Sequence, residues 1–255
     1  MDVELTYIGG PTALIHFEGL RFLTDPTFDP APADYPYPAG VLHKNIGPAL
    51  TPDSLGHIDA VLLSHDHHPD NLDKSGREFL PNAEMVLTTP SGAEHLGGNA
   101  LGLAPWQSVE LRSATNQILR VTATPARHGP AHLDRGPVIG FVLTPLDHPE
   151  DSIYFSGDTV WYEGVEEVAA RFHIRTALLN LGAAQVEAVG PYHLTMTAEE
   201  AVTFARAFPD ATIVPLHFEG WAHFSESRSE IDRAFADAGL EDHLHWLVAP
   251  ASRRL

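Results

Sequence analysis

Apolar and polar positions along the chain alternate in short blocks. Leu5-Thr6-Tyr7-Ile8, Ala13-Leu14-Ile15-His16-Phe17 and Arg21-Phe22-Leu23-Thr24 read as three strands, separated by the turn chemistry of Gly9-Gly10-Pro11 and Glu18-Gly19. A long segment without periodicity runs from Asp25 to about Leu50 and carries Pro26, Pro30, Pro32, Pro36, Pro38 and Pro48, with Tyr35 and Tyr37. A loop of that length in a compact fold is generally functional or mobile, and its aromatic content suits a wall or lid over a pocket. Ile58-Asp59-Ala60-Val61-Leu62-Leu63 is a mostly apolar run typical of a buried strand, and a helix is expected from Asp70 to Phe79. Further strands fit Glu84–Thr88, Ser108–Leu111, Ile118–Thr124, Val138–Thr144 and Ser152–Ser156.

The second half changes rhythm. Helix is expected over Gly164–Phe172, strand over Ala177–Asn180 and Thr212–Leu216, and helix over Glu226–Ala236. Thr197-Ala198-Glu199-Glu200 has the form of a capping box, and Ala201, Phe204, Ala205 and Phe208 fall on one face of the helix it opens. Neither an internal repeat nor a linker interrupts the pattern, so residues 1–255 are expected to form one domain of strand-rich layers flanked by helices.

Composition narrows the function. The formal charge is 15 − 34 = −19, which repels polyanions and argues against a nucleic-acid partner. There is no cysteine, so any metal must be held by nitrogen and oxygen. No basic leader opens the Met1-Asp2-Val3-Glu4 terminus, and no stretch approaches ~18 consecutive apolar residues, so a cytoplasmic protein without membrane attachment is expected.

Histidine is abundant, with 16 copies, and its placement is informative. Ser64-His65-Asp66-His67-His68-Pro69-Asp70-Asn71 follows directly on the apolar run that ends at Leu63. In extended geometry residues i and i+2 point the same way, so His65 and His67 can face one cation. Asp70 would stand at the next helix start, where the dipole favours its charge. A polar loop of solvated histidines would have the same composition, but the end of a buried strand is where sites of layered folds form. His128, Asp158 and His217 each lie just beyond another expected strand, so all can converge on one sheet edge.

Taken in order, these segments resemble the metallo-β-lactamase superfamily, in the branch of the ascorbate-6-phosphate lactonases and N-acyl-phosphatidylethanolamine phospholipases. The resemblance starts at Gly9-Gly10-Pro11-Thr12-Ala13-Leu14-Ile15 and continues through Leu23-Thr24-Asp25-Pro26, Ser64-His65-Asp66-His67 and His128. It ends with Ser156-Gly157-Asp158-Thr159, Thr195-Met196-Thr197-Ala198-Glu199-Glu200-Ala201 and Pro215-Leu216-His217-Phe218. It implies an α+β fold, a four-layer αββα sandwich, with two divalent metal ions at one edge. Zinc is the first choice, and manganese and iron are also admitted. His65, His67 and His128 match the first-metal ligands, Asp158 the bridging carboxylate, His217 a ligand of the second ion, and Asp25 a buried aspartate supporting the metal loop. For Asp25, a simple turn former before Pro26 is an equal reading.

One stretch departs from the family's His-x-His-x-Asp-His. Counted from His65, the aspartate falls on Pro69 and the second histidine on Asp70. With one residue inserted, Asp70 takes the aspartate place and Asn71 that of the histidine. The insertion is preferred, because Asp70-Asn71-Leu72-Asp73 then matches Asp-His-Leu-Asp. Asn71 is a poor zinc ligand, so the second ion is expected to be weakly held, or its site to recruit His68.

The expected activity is hydrolysis of a small-molecule ester, lactone or phosphoester by metal-activated water. Asp70 would orient the water and His193 would donate a proton. Trp161, Tyr162 and His223 are softer pocket candidates. A non-catalytic metal-binding protein on the same fold, a sensor or interaction module, is the competing expectation, favoured by Asn71.

Overall fold

The computed structural model describes residues 3–37 and 40–255. Met1 and Asp2 of the terminus and Pro38 of the proline-rich segment lie outside the described residues. A seven-stranded sheet is built from β1 (Val3–Gly9), β2 (Thr12–Phe17), β3 (Leu20–Thr24), β6 (Ala60–Leu62), β7 (Met85–Thr88), β8 (Ala100–Gly102) and β15 (Ser252–Arg254). Its order is β15-β1-β2-β3-β6-β7-β8, and β3, β6, β7 and β8 run parallel. A second sheet holds β9 (Ser108–Arg112), β10 (Ile118–Pro125), β11 (Ile139–Pro145), β12 (Ser152–Phe155), β13 (Ile174–Asn180) and β14 (Thr212–Leu216), in the order β14-β13-β12-β11-β10-β9. A separate hairpin pairs β4 (Ala33–Tyr37) with β5 (Gly40–Lys44).

Strand periodicity explains the layering. In β6, Ala60 and Leu62 enter the core between the sheets, while Val61 faces outward to a second apolar cluster with Leu72, Phe79 and Leu80. In β13, Leu178 joins the inter-sheet core and Ala177 and Leu179 pack under the helices of the opposite face. Both sheets are therefore apolar on both faces and need a helical layer outside. On the first sheet this layer is α1 (Lys74–Phe79) and α2 (Pro90–Leu96). On the second it is α3 (Glu163–Arg171), α4 (Ala198–Ala207) and α5 (Arg228–Asp237). The expected αββα sandwich is the observed architecture.

Local chemistry accounts for the helix starts. Thr197 and Glu200 form the reciprocal capping box of α4, each contact 3.1 Å. Phe204 then stacks on Tyr154 at 5.6 Å, and burying each such ring contributes ~1.5–3 kcal/mol. The helix expected from Asp70 begins only at Lys74, because Asp73 is its N-cap and accepts from Gly76 N at 2.8 Å. Residues 69–72 are left as turns that point Asp70 and Asn71 inward. The hairpin β4–β5 lies inside the segment expected to be loop. Pro36 is tolerated there because this two-stranded ribbon leaves an unpaired edge. α2 was not anticipated; Thr89 caps it from Gly92 N at 3.0 Å, with Pro90 at its first position. No helix among the described residues is long and apolar enough to cross a membrane.

Strand direction delivers the polar residues to one edge. The parallel pairs β3/β6 and β12/β13/β14 end together, and β10 runs the same way as β12 because β11 is antiparallel to both. Asp25, Ser64-His65, His128, Asp158 and His217 follow those strand ends. Ile139 N donates to Ser64 O at 3.1 Å, tying the two sheets at that point.

Candidate metal centre

Asp25 anchors the centre. It is fully buried and accepts from Ser64 N (2.6 Å), Ser64 Oγ (2.7 Å) and Asn71 Nδ2 (3.0 Å). Burial pushes its carboxyl up to about 7, against the pull of those donors. Its backbone is left-handed, with φ +22°, a strain tolerated because three partners hold the side chain. Because the Ser64 hydroxyl donates to Asp25, it accepts from His65 Nδ1 at 2.9 Å. The proton of the neutral His65 ring is thereby fixed on Nδ1, and Nε2 is bare.

The same logic applies to His128. Its Nδ1 donates to Leu194 O at 3.0 Å, leaving Nε2 bare. Between these two rings lies His68, whose Nδ1 is 3.0 Å from His65 Nε2 and 3.1 Å from His128 Nε2. One imidazole nitrogen can donate to only one of the two, so at least one lone pair faces another nitrogen with no proton between them. A cation bound by all of them removes that conflict. Burial, with the neighbouring histidines, drives both His65 and His68 well below the usual imidazole range, so they stay neutral and available as ligands.

His67 stands further out. Its Nε2 donates to Arg135 O at 3.0 Å, while the ring remains 4.8 Å from that of His65 and 4.3 Å from that of His68. Ligand atoms of His65, His67 and His68 all lie within 4.8 Å of one another, as do those of His65, His128 and Asp158.

Asp158 joins this group to a second one. Its Oδ2 is 3.8 Å from His128 Nε2, and its Oδ1 is 3.0 Å from His217 Nδ1 and accepts from Asn180 Nδ2 at 2.7 Å. Burial alone would raise the Asp158 carboxyl, but His217, His128 and His65 hold it well below the usual carboxylate range. Asp70, His217 and His223 form the second cluster. Burial opposes charge on Asp70 as well, yet His223 and His217 lower it. The donor set, imidazole and carboxylate with no thiolate, suits a divalent ion of borderline character.

The expected residues therefore sort clearly. His65, His128, Asp158, Asp70 and His217 meet at one edge, with His67 at its outer side. His193 does not join them: its Nε2 pairs with Glu200 Oε2 at 3.1 Å, at the α4 cap. Trp161 packs edge-on against Phe204 and Tyr162 lies under the Arg127 guanidinium, so both serve packing. His68 and His223 carry more of the centre than their sequence positions suggested. The one signal for His223 was its place a short loop beyond His217.

A cavity of about 160 Å³ opens on the cluster. His67, His68, Asp70, His128 and His223 line its polar side, and Leu42, Ala184, Val186 and Leu194 its apolar side, with Tyr37 and Arg135 at the wall. The hairpin within the proline-rich segment thus supplies Tyr37 and Leu42.

The family described as Beta-lactamase superfamily domain matches residues 20–218. A UPF0173 metal-dependent hydrolase of Caldivirga maquilingensis is 25% identical over 231 residues, covering 89% of this chain and 86% of that protein. A mitochondrial N-acyl-phosphatidylethanolamine-hydrolyzing phospholipase D of Saccharomyces cerevisiae is 29% identical over 174 residues, covering 60% of this chain and 34% of that protein. Among solved structures, the isothiocyanate hydrolase from Delia radicum gut bacteria superposes with a TM-score of 0.84 at 25% identity, covering 98% of both chains.

Proposed function

The chain belongs to the beta-lactamase superfamily and is a metal-dependent hydrolase, and from that premise we propose that it cleaves a small ester, lactone or phosphoester in the cavity above the histidine cluster. The observation that carries the reading is a cavity lined by His67, His68, His128, His223 and the ionised carboxylate of Asp70, with His65 and Asp158 buried directly behind them. His65 and His128 would hold a first ion with a third imidazole from the His67–His68 pair, and Asp158 would face both this ion and a second one beside Asp70 and His217. Divalent ions there supply Lewis acidity, enough to bring the pKa of water toward ~7.

The rest is the work of the chain itself. Asp70 lines the cavity, is ionised, and is the carboxylate suited to orient water and take up its proton. Leu42, Ala184, Val186 and Leu194 exclude bulk water from one side of the substrate. The free volume fits a small molecule. His193 is not among the residues lining the cavity; its neighbour in sequence, Leu194, orients His128 through its carbonyl.

The test is a turnover screen of metal-loaded protein against small esters, lactones and phosphoesters, with isothiocyanates added because of the isothiocyanate hydrolase the chain resembles. Hydrolysis of at least one class is expected, abolished by chelation, restored by metal, and lost in His128→Ala. A metal-replete protein with no turnover on any class would refute the proposal and favour a non-catalytic metal-binding protein.

A further inference from the structure

We propose that His223 is a protein ligand of the second cation, replacing the histidine that the Asp70-Asn71 step lacks. The inference deepens the hydrolase reading and rests on it only for the presence of a divalent ion. Asn71 is buried, and its amide nitrogen is engaged elsewhere while its Oδ1 has no hydrogen-bond partner. Its Nδ2 donates to Asp25 Oδ2 at 3.0 Å, so its amide braces the residue that holds Ser64 and His65. An amide engaged in this way offers only a carbonyl oxygen, a weaker donor than imidazole for a borderline metal.

His223 takes up the vacated role from another part of the chain. Its Nε2 is 3.1 Å from Asp70 Oδ2, the same oxygen that lies 3.6 Å from His217 Nε2. His217 Nδ1 faces Asp158 Oδ1 at 3.0 Å, so in the neutral ring the proton lies there and Nε2 carries the lone pair a metal takes. That Nε2 is buried and has no hydrogen-bond partner. A buried nitrogen without a hydrogen-bond partner, 3.6 Å from a carboxylate oxygen that His223 also faces, is placed to share a cation with His223.

The segment bearing His223 is built to hold the ring in place. His217 adopts a left-handed backbone, φ +52°, and Gly220 turns the chain at φ +91°. Lys44 of β5 then bridges to Trp221, Ala222 N donates to His43 O at 3.0 Å, and Gln185 N donates to His223 O at 2.8 Å. The ring of Phe224 packs 4.7 Å from that of His223. Backbone on both flanks thus fixes the imidazole over Asp70, the preorganisation a ligand needs.

The test reads metal rather than turnover. Apo protein is titrated with Zn²⁺ and bound metal is counted by mass spectrometry, with Co²⁺ absorption reporting the coordination of each equivalent. Wild type binds two equivalents. His223→Ala keeps the first and binds the second at least ~10–100-fold more weakly, the loss typical even of residues that only orient a ligand. Asn71→Ala, which removes the brace under Asp25 and so weakens the first ion, keeps the second. If His223→Ala folds poorly, His223→Gln is melted with and without Zn²⁺ and loses the stabilisation that the second equivalent gives wild type. The assignment is overturned if wild type binds a single equivalent, if His223→Ala or His223→Gln holds the second as wild type does, or if Asn71→Ala loses it. A metal-replete wild type that lacks turnover would defeat the hydrolase reading and leave this assignment standing.

Discussion

Lys44 and Asp73 form an ion pair at 2.9 Å with side chains only 3% and 0% exposed, and the two partners are not equally replaceable. Asp73 also accepts from Phe28 N (2.9 Å) and Gly76 N (2.8 Å) at Oδ1 and from Asp29 N (2.7 Å) at Oδ2. Without Lys44 the carboxylate still has three amide donors, which by themselves stabilise a buried anion. Lys44→Met therefore removes one charge-assisted bond while relieving the desolvation of an ammonium, at a net cost of about 1–2 kcal/mol. Asp73→Asn is worse. Lys44 would keep only Thr27 O at 3.3 Å and the face of Trp221, 5.5 Å from its centroid, as partners in the interior. Leaving a buried charge uncompensated costs about 3–5 kcal/mol, a large share of the ~5–15 kcal/mol that domains possess. Adding Lys44→Met to Asp73→Asn removes the stranded cation, so the double variant should be the more stable of the two by ~1–3 kcal/mol. Urea unfolding of all four proteins in chelator, which removes metal linkage, measures each term. The reasoning fails if Lys44→Met is as damaging as Asp73→Asn, or if the double variant is less stable than Asp73→Asn alone.

Three further outcomes follow from the structure. Gly76 has no room for a side chain, since a Cβ would lie 1.9 Å from Pro26 O, so Gly76→Ala should cost about 3 kcal/mol in urea unfolding; a neutral result would show that α1 slides freely against Pro26. The Glu200 hydrogen bond raises the His193 pKa above its ordinary value, so the pair stabilises fully below pH ~6.5 and loses that contribution as pH rises through the folded-state pKa. The gap in urea midpoint between wild type and His193→Ala should then be wider at pH 6 than at pH 9, and a gap that is constant or grows with pH would contradict the assignment. Zn²⁺ at 100 times its dissociation constant should stabilise the apo protein by ~2.7 kcal/mol per site, so a melting temperature insensitive to Zn²⁺ would mean that the histidine cluster binds no ion.

The layered fold was legible because both sheets bury two faces. Runs such as Ala60-Val61-Leu62 and Ala177-Leu178-Leu179 are apolar throughout, so the positions of the buried strands could be read directly, while the order of strands in each sheet could not. What escaped is structure held by tertiary contact. The hairpin β4–β5 buries only Leu42 and Lys44, carries Pro36 within β4 and is otherwise half-buried or exposed, so no apolar rhythm betrays it. Short strands such as β8 and β15 have three residues each, too few for a period to register. Asp25 illustrates the limit at one residue. Its place before Pro26 suits a turn former as well as a buried brace, and the three donors that settle the matter come from Ser64 and Asn71, far along the chain.

The candidate metal centre was legible where a single side chain follows a strand end and obscure where several candidates crowd one loop. His128, Asp158 and His217 sit at strand exits, so the topology alone brings them together. The pairing of His65 with His67 assumed that extended geometry persists, but β6 ends at Leu62, three residues before His65. Beyond it the chain turns, and His67 Nε2 faces Arg135 O while His68 Nδ1 lies between His65 and His128. The same turn carries Asn71 down onto Asp25, where a neutral amide with two N–H donors serves the buried carboxylate and an additional metal-bound imidazole would not. The asparagine at position 71 and the proposed ligand role of His223 then belong together. The brace under His65 takes an amide, and the ligand moves to a loop that the pocket hairpin holds through Lys44 and Trp221. Motif spacing records the first change as a loss of function, because the compensating residue lies 152 positions away in the chain and 3.1 Å from Asp70 in space.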